Sequence, residues 1–220
     1  AAFSRALTSG MDHAGDVLGE EQWAWLDTVL QESAALSDLT IIVSSIQVFT
    51  SNPMVESWSH FPRARQRLVE TLGKHQPRGV QFLSGDVHYA ELAALPGGHV
   101  VEVTSSGMTH SCTTPFWGVV CPDILSLFGL HRDHVRGRSS FTGRNFGSLD
   151  VDWTAGTATT SIHDIVTGRI VARFNRSLEK DSKLDTAALQ RWAHETRAHG
   201  SSAAATLLSI ALVGFLVAVA

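Results

Sequence analysis

The apolar run Val80-Gln81-Phe82-Leu83-Ser84 leads straight into Gly85-Asp86-Val87-His88-Tyr89-Ala90-Glu91. A strand that ends in this way sets a carboxylate and an imidazole two residues apart at its C-terminal end, where α/β sheets collect their ligands. Asp86 offers a hard oxygen and His88 a nitrogen, while Gly85 lets the backbone approach a bound ion closely. If the chain stays extended past Gly85, alternate residues share one side, and Asp86 and His88 reach a single metal centre. On residue types alone, an Asp capping a turn beside a partly buried His explains the segment as well. Ser84 stands outside any Gly-x-Ser-x-Gly elbow, which leaves a serine hydrolase little support.

The flanking elements follow an α/β rhythm. Glu20 and Glu21 open a helical stretch in which Trp23, Leu26, Val29 and Leu30 recur on one face, with acidic residues where the helix dipole prefers them. Leu39 to Val48 is a β-branched run expected to form a buried strand. Pro62 then starts a second helix through Leu68, Val69 and Leu72, closed by Gly73, and the strand before Gly85 follows. Shorter β-rich pieces come next, Tyr89 to Leu95 and His99 to Ser105, and then a Gly/Pro/Cys-interrupted insertion from Gly107 to about Arg138. Asn145 to Trp153, Thr157 to His163 and Arg169 to Phe174 alternate about small turns, the pattern of an antiparallel meander. A helix from Leu184 to His199 is expected to turn Leu189 and Trp192 inward. The fold class is therefore α/β.

With 220 residues, 44% hydrophobic and 17% charged, the chain is globular, and one principal domain is expected. A formal charge of -4 offers no patch for nucleic acid. Cys112 and Cys121 either pair in an oxidising compartment or remain two thiols. The first residue is Ala and no signal-peptide pattern follows, so the sequence is expected to be the later part of a longer protein. From Ser201 to Ala220 there is no charge, which predicts a C-terminal hydrophobic helix. It can span a membrane if roughly 20 residues are counted, serve as a cleaved lipid-anchor signal, or pack as a core helix. Membrane attachment is preferred because the segment keeps no polar face. Asn175-Arg176-Ser177 is a glycosylation sequon that agrees with a secretory or cell-surface location.

Several segments together resemble one family. Gly19-Glu20-Glu21-Gln22-Trp23-Ala24-Trp25-Leu26, Ser44-Ser45-Ile46-Gln47-Val48, and Glu56-Ser57-Trp58-Ser59-His60-Phe61-Pro62-Arg63-Ala64-Arg65 precede the Ser84 to Glu91 octet. Glu102-Val103-Thr104-Ser105-Ser106-Gly107-Met108-Thr109-His110 and Asn145-Phe146-Gly147 follow it. Their order is similar to that of the C-terminal half of PhoD-like (alkaline phosphatase D) metallophosphatases, over roughly residues 17 to 175. The resemblance implies part of a calcineurin-like metallophosphoesterase sandwich, with mixed β-sheets flanked by helices. It also implies two or more divalent or trivalent metal ions, with iron, calcium, manganese or zinc open, and a phosphate ester as substrate.

Within that resemblance Asp86 matches a late metal-ligand aspartate, and His88 matches the histidine that ligates metal or contacts phosphate, making it the implied catalytic residue. His60, Arg63 and His110 are the candidates for substrate contact, alongside Trp58 and Arg65. Guanidinium groups suit phosphate oxygens through paired hydrogen bonds. Alternatively Trp58 is core and both arginines lie on a solvated helix face. Ser105, Ser106 and Thr109 are expected to form a turn beside the site.

The sequence departs from the family in having no Asn-His-Asp/Glu turn and no strand before residue 17 to present early carboxylates. It is therefore expected to be inactive alone and to contribute Asp86 and His88 to a longer phosphatase. The alternative is a catalytically incomplete, membrane-tethered relative that acts as a binding module. The expected organisation is a lead-in over 1–16, the phosphatase portion over 17–178, a linker and helix over 179–200 and the anchor over 201–220.

Overall fold

The computed structural model describes residues 15–50, 55–95, 100–112, 140–178 and 184–193. Helix α1 (Glu20–Leu36) is followed by strand β1 (Thr40–Ser44), a single 3-10 turn (Trp58–His60), helix α2 (Pro62–His75) and strand β2 (Val80–Ser84). Strands β3 (Ala90–Ala94), β4 (Val101–Ser105) and β5 (Ser140–Phe141) complete one sheet, in the order β1-β2-β4-β3-β5. Within it β1, β2 and β4 are parallel, and β3 and β5 run against them. Strands β6 (Asn145–Asp152), β7 (Thr157–Asp164) and β8 (Ile170–Ser177) form the expected antiparallel meander as a second sheet. Residues 186–193 are helical.

Because side chains alternate across a strand, the five-stranded sheet serves two cores. Val80 and Phe82 of β2 join Trp23, Leu26, Leu30, Leu68, Leu72 and Trp192 on the helix side. Leu92, Val101 and Val103 meet Ile162 of the second sheet on the other side. The result is three layers: helices, mixed sheet and antiparallel sheet. Gln81 bridges the two sheets by donating to the Thr160 hydroxyl at 2.8 Å.

The first strand and the second helix depart from expectation, each for a visible reason. β1 stops at Ser44 rather than running to Val48. The Ser44 hydroxyl donates to the Ile46 carbonyl at 2.7 Å, and the N–H groups of Val48 and Phe49 go to the Glu102 carboxylate instead of a ladder. β1 is also an edge strand, with Ile41 41% and Val43 77% exposed, so it is open on one face rather than buried. Helix α2 passes through Gly73, where an added Cβ would touch Thr186 at 3.5 Å, and ends at Gln76, whose φ of 52° makes the left-handed cap. Pro62 does open that helix, as its missing N–H allows.

Gly79 is a turn residue that cannot carry a side chain without strain. Its φ is +58°, and a Cβ there would lie 2.5 Å from the Asp38 carbonyl oxygen. Leu189 and Trp192 are buried as expected. The lead-in over 1–14, most of the Gly107–Arg138 insertion, residues 194–199 and the hydrophobic segment 201–220 lie outside the described residues. Among the described residues no helix is long and apolar enough to cross a membrane.

Candidate functional site

The parallel strands bring their carboxyl ends together, with Ser44 beside Ser84 and Ser84 beside Thr104. The loops that follow converge. A Cβ on Gly85 would sit 3.7 Å from the Ser45 carbonyl oxygen and 3.7 Å from Ser106 Cβ. Since β4 lies between β2 and β3 in the sheet, the loop 85–89 has to cross the end of β4 before the chain turns back as β3.

That crossing overturns one expectation. The backbone does not remain extended past Gly85, because Asp86 has φ +75° and His88 has φ +58°. Two left-handed residues give the short connection its reversal. The conformation costs roughly 1–2 kcal/mol for each non-glycine residue, and it is more readily adopted by Asp, Asn and His than by other types. Asp86 and His88 are thus brought to the same exposed loop by a twisted backbone rather than by strand alternation. Gly85, which carries no positive φ, is the relaxed residue of the three.

The next loop clamps this corner. The His88 N–H donates to Ser106 Oγ at 3.0 Å, and the His88 carbonyl accepts from the Cys112 N–H at 2.9 Å. Ser106 N–H also reaches the Tyr89 carbonyl at 3.4 Å. The segment from Ser106 to His110 thus leaves β4 as a loop packed against this corner. It carries the His110 ring to 6.4 Å from the His88 ring, centroid to centroid. Cys112 is disulfide-bonded.

The other candidates separate by depth. Arg63 is exposed in the first turn of α2, a helix preceded by the 3-10 turn whose Trp58 indole reaches Ser44 at the end of β1. His60 is 2% exposed and Arg65 2% exposed, so neither presents its side chain to solvent here. Arg65 lies 5.0 Å over the Trp192 ring, and burial brings its guanidinium pKa down to about 10. Trp58 is core, edge-on to Trp23 at 6.3 Å, with its indole N–H on the Ser44 hydroxyl at 3.1 Å. On the second-sheet side a cavity of about 200 Å³ is lined by Ser84, Ser105, Ser148 and Thr160 among others. Its hydroxyls suit water better than a phosphate dianion, which calls for cationic partners.

Beneath the corner lies a polar network that residue spacing does not reveal. Gln47, 1% exposed, donates through Nε2 to Glu91 and to Thr104 Oγ1, each at 2.9 Å, and accepts the Tyr89 hydroxyl at 3.1 Å. Thr104 also meets the Ser84 hydroxyl at 2.9 Å. Glu102, 1% exposed, takes the Val48 and Phe49 N–H groups at 2.7 Å each. Burial raises its carboxyl pKa to about 7 against the opposing pull of those two donors. On the far side Asn145, fully buried, accepts from Ser105 Oγ at 2.9 Å and donates its N–H to the Gly107 carbonyl at 3.0 Å. A Cβ on Gly107 would fall 2.3 Å from Asn145 Nδ2. The only sequence signal for these groups was their place within the family-like segments.

Asp86 and His88 supply the oxygen and nitrogen donors that suit iron, manganese, zinc or calcium, and their exposure at the strand ends leaves room for further ligands. They fit as part of a metal site. Among the described residues no group of three His, Cys, Asp or Glu side chains stands close enough to hold an ion.

A solved structure described as "Structure of PhoD" is 16% identical with a TM-score of 0.49, and the match covers 86% of this chain and 42% of that chain. The chain therefore spans less than half the length of that protein. No curated protein matches the sequence. The family of PhoD-like phosphatases matches residues 4–130, which is more than half of the sequence and includes β1, β2, β3, β4 and the Asp86–His88 corner. The chain belongs to the PhoD-like phosphatase family.

Proposed function

We propose that this chain is the later part of a metal-dependent phosphatase that hydrolyses phosphate mono- or diesters with metal-activated water, in a calcineurin-like sandwich. The observation that supports this reading is the corner itself. Asp86 and His88, both exposed and both in left-handed backbone, stand in the loop that crosses the carboxyl ends of the parallel strands, and contacts from the following loop hold His88 there. Backbone strain of this kind concentrates at functional sites.

Asp86 contributes a hard anionic ligand, and His88 either a nitrogen ligand or a hydrogen bond to a phosphate oxygen. His110, 6.4 Å from His88 between ring centroids, and the exposed Arg63 are the groups offered to the substrate's negative charge. When bound, metal ions supply Lewis acidity that lowers the pKa of water and stabilises the charge developing on phosphorus-bound oxygens. The remaining ligands would come from outside the described residues.

In the full-length protein, Asp86→Asn is expected to lower metal content and phosphatase turnover together, with the circular-dichroism spectrum unchanged. Turnover equal to wild type would remove Asp86 from the site. The alternative, a membrane-tethered binding module, draws on the absence of a three-member ligand cluster among the described residues. It is distinguished by wild-type protein that binds no metal. Membrane attachment through residues 201–220 forms part of the proposal, and deletion of that segment is expected to move the protein from the membrane to the soluble fraction.

A further inference from the structure

We propose that Gln47 is the positioning residue for the Asp86–His88 corner, an inference that rests on the metal-site reading above. Its role follows from what one amide touches. Tyr89, immediately after His88, donates its hydroxyl to Gln47 Oε1. Thr104, which accepts from Gln47 Nε2, is itself bonded to Ser84, the residue immediately before Gly85. Both ends of the corner loop are therefore tied to the same side chain, on one end directly and on the other through one hydroxyl.

The amide is well placed to act as a fixed point. Its main-chain carbonyl accepts the Trp58 N–H at 2.9 Å, and Gln47 pairs with Ser57 as a bridge, which fastens it to the turn before α2. Its orientation is not ambiguous: the Glu91 carboxylate calls for a donor, so Nε2 faces it and Oε1 faces Tyr89. The titratable groups it touches are Tyr89, just before β3, and Glu91 of β3, and next to its neighbour Val48 stands Glu102 of β4, to which Arg65 of α2 is electrostatically coupled. A neutral donor suits that company, since a carboxylate at position 47 would face Glu91 and lie near Glu102.

A loss of buried bonding destabilises any protein, so the test needs a matched control, and Gln81 provides one. It is the same residue type, also 1% exposed, and it too bonds a buried threonine, but Thr160 belongs to the second sheet. In the full-length protein, Mn²⁺ binding is measured by calorimetry on wild type, Gln47→Leu, Gln81→Leu, Tyr89→Phe and Asp86→Asn, well below each unfolding midpoint. Gln47→Leu is expected to weaken Mn²⁺ binding by about tenfold, the usual cost of losing an outer support of a ligand. Gln81→Leu, which loses one buried bond, is expected to lower the unfolding midpoint while leaving affinity within about twofold, and Tyr89→Phe to weaken binding by about threefold.

Unchanged affinity in folded Gln47→Leu, or an equal loss in Gln81→Leu, overturns the positioning role. If Gln47→Leu does not fold, Tyr89→Phe decides, and wild-type affinity there overturns it. Asp86→Asn separates the two levels. Binding lost in Asp86→Asn but kept in Gln47→Leu removes the positioning role alone, whereas binding kept in Asp86→Asn removes the metal-site reading and the positioning role with it.

Discussion

At Asp86 and His88 the chain accepts φ values of +75° and +58°, which glycine would adopt without strain. Replacing His88 by Gly is expected to leave the denaturant midpoint unchanged or to raise stability by up to about 1 kcal/mol, because relief of left-handed strain outweighs glycine's added freedom in the unfolded chain. Metal affinity should fall in the same variant, so stability and function would move in opposite directions. A stability loss above about 1 kcal/mol would mean that the imidazole is held by contacts stronger than the strain. Glu102 allows a prediction of opposite character. Its folded pKa of about 7 lies above the ordinary value of 4.5, so the folded state binds the proton more tightly. Its contribution is fully present below the unfolded value near 4.5 and is lost as pH rises through about 7. The decline is about 1.4 kcal/mol per pH unit within that window, and Glu102→Gln should flatten it in urea titrations at stepped pH.

Among the elements, those with strong local signals were legible in the sequence and those defined by distant partners were not. Pro62, the Trp23/Leu26/Leu30 spacing and the alternation of the meander each declared an element, and each formed. β1 came out short because Glu102, which lies 54 residues beyond Val48, takes the N–H groups that would have continued the strand. Gly73 did not end α2 because a helix interior tolerates glycine where a neighbour packs closely, here Thr186. For the site, Asp86 and His88 stood out by type and position, whereas Gln47 and Asn145 act through contacts that no spacing rule encodes. Gly79 carries its prediction at this scale. Gly79→Ala combines a positive φ with a Cβ 2.5 Å from the Asp38 carbonyl, and should cost about 2 kcal/mol by thermal unfolding. A negligible loss would show that the α2–β2 connection can rearrange.

The three-layer molecule depends on the mixed sheet having two covered faces. Ile162, 1% exposed, is the buried contact of β7 with Leu92, Val101 and Val103, and Ile162→Ala should cost about 2–4 kcal/mol in equilibrium unfolding. An effect below about 1 kcal/mol would indicate that the meander packs loosely on the sheet. The sheet order also carries a consequence for the sequence of events in folding. β2 and β3 are neighbours along the chain, yet β4, made later, lies between them. During synthesis the corner loop therefore waits for residues 101–112 before its clamp exists, and its closure depends on non-local pairing, the slow kind of contact. A nascent chain released before Ser106 would carry both Asp86 and His88 and still lack the support that gives them their shape.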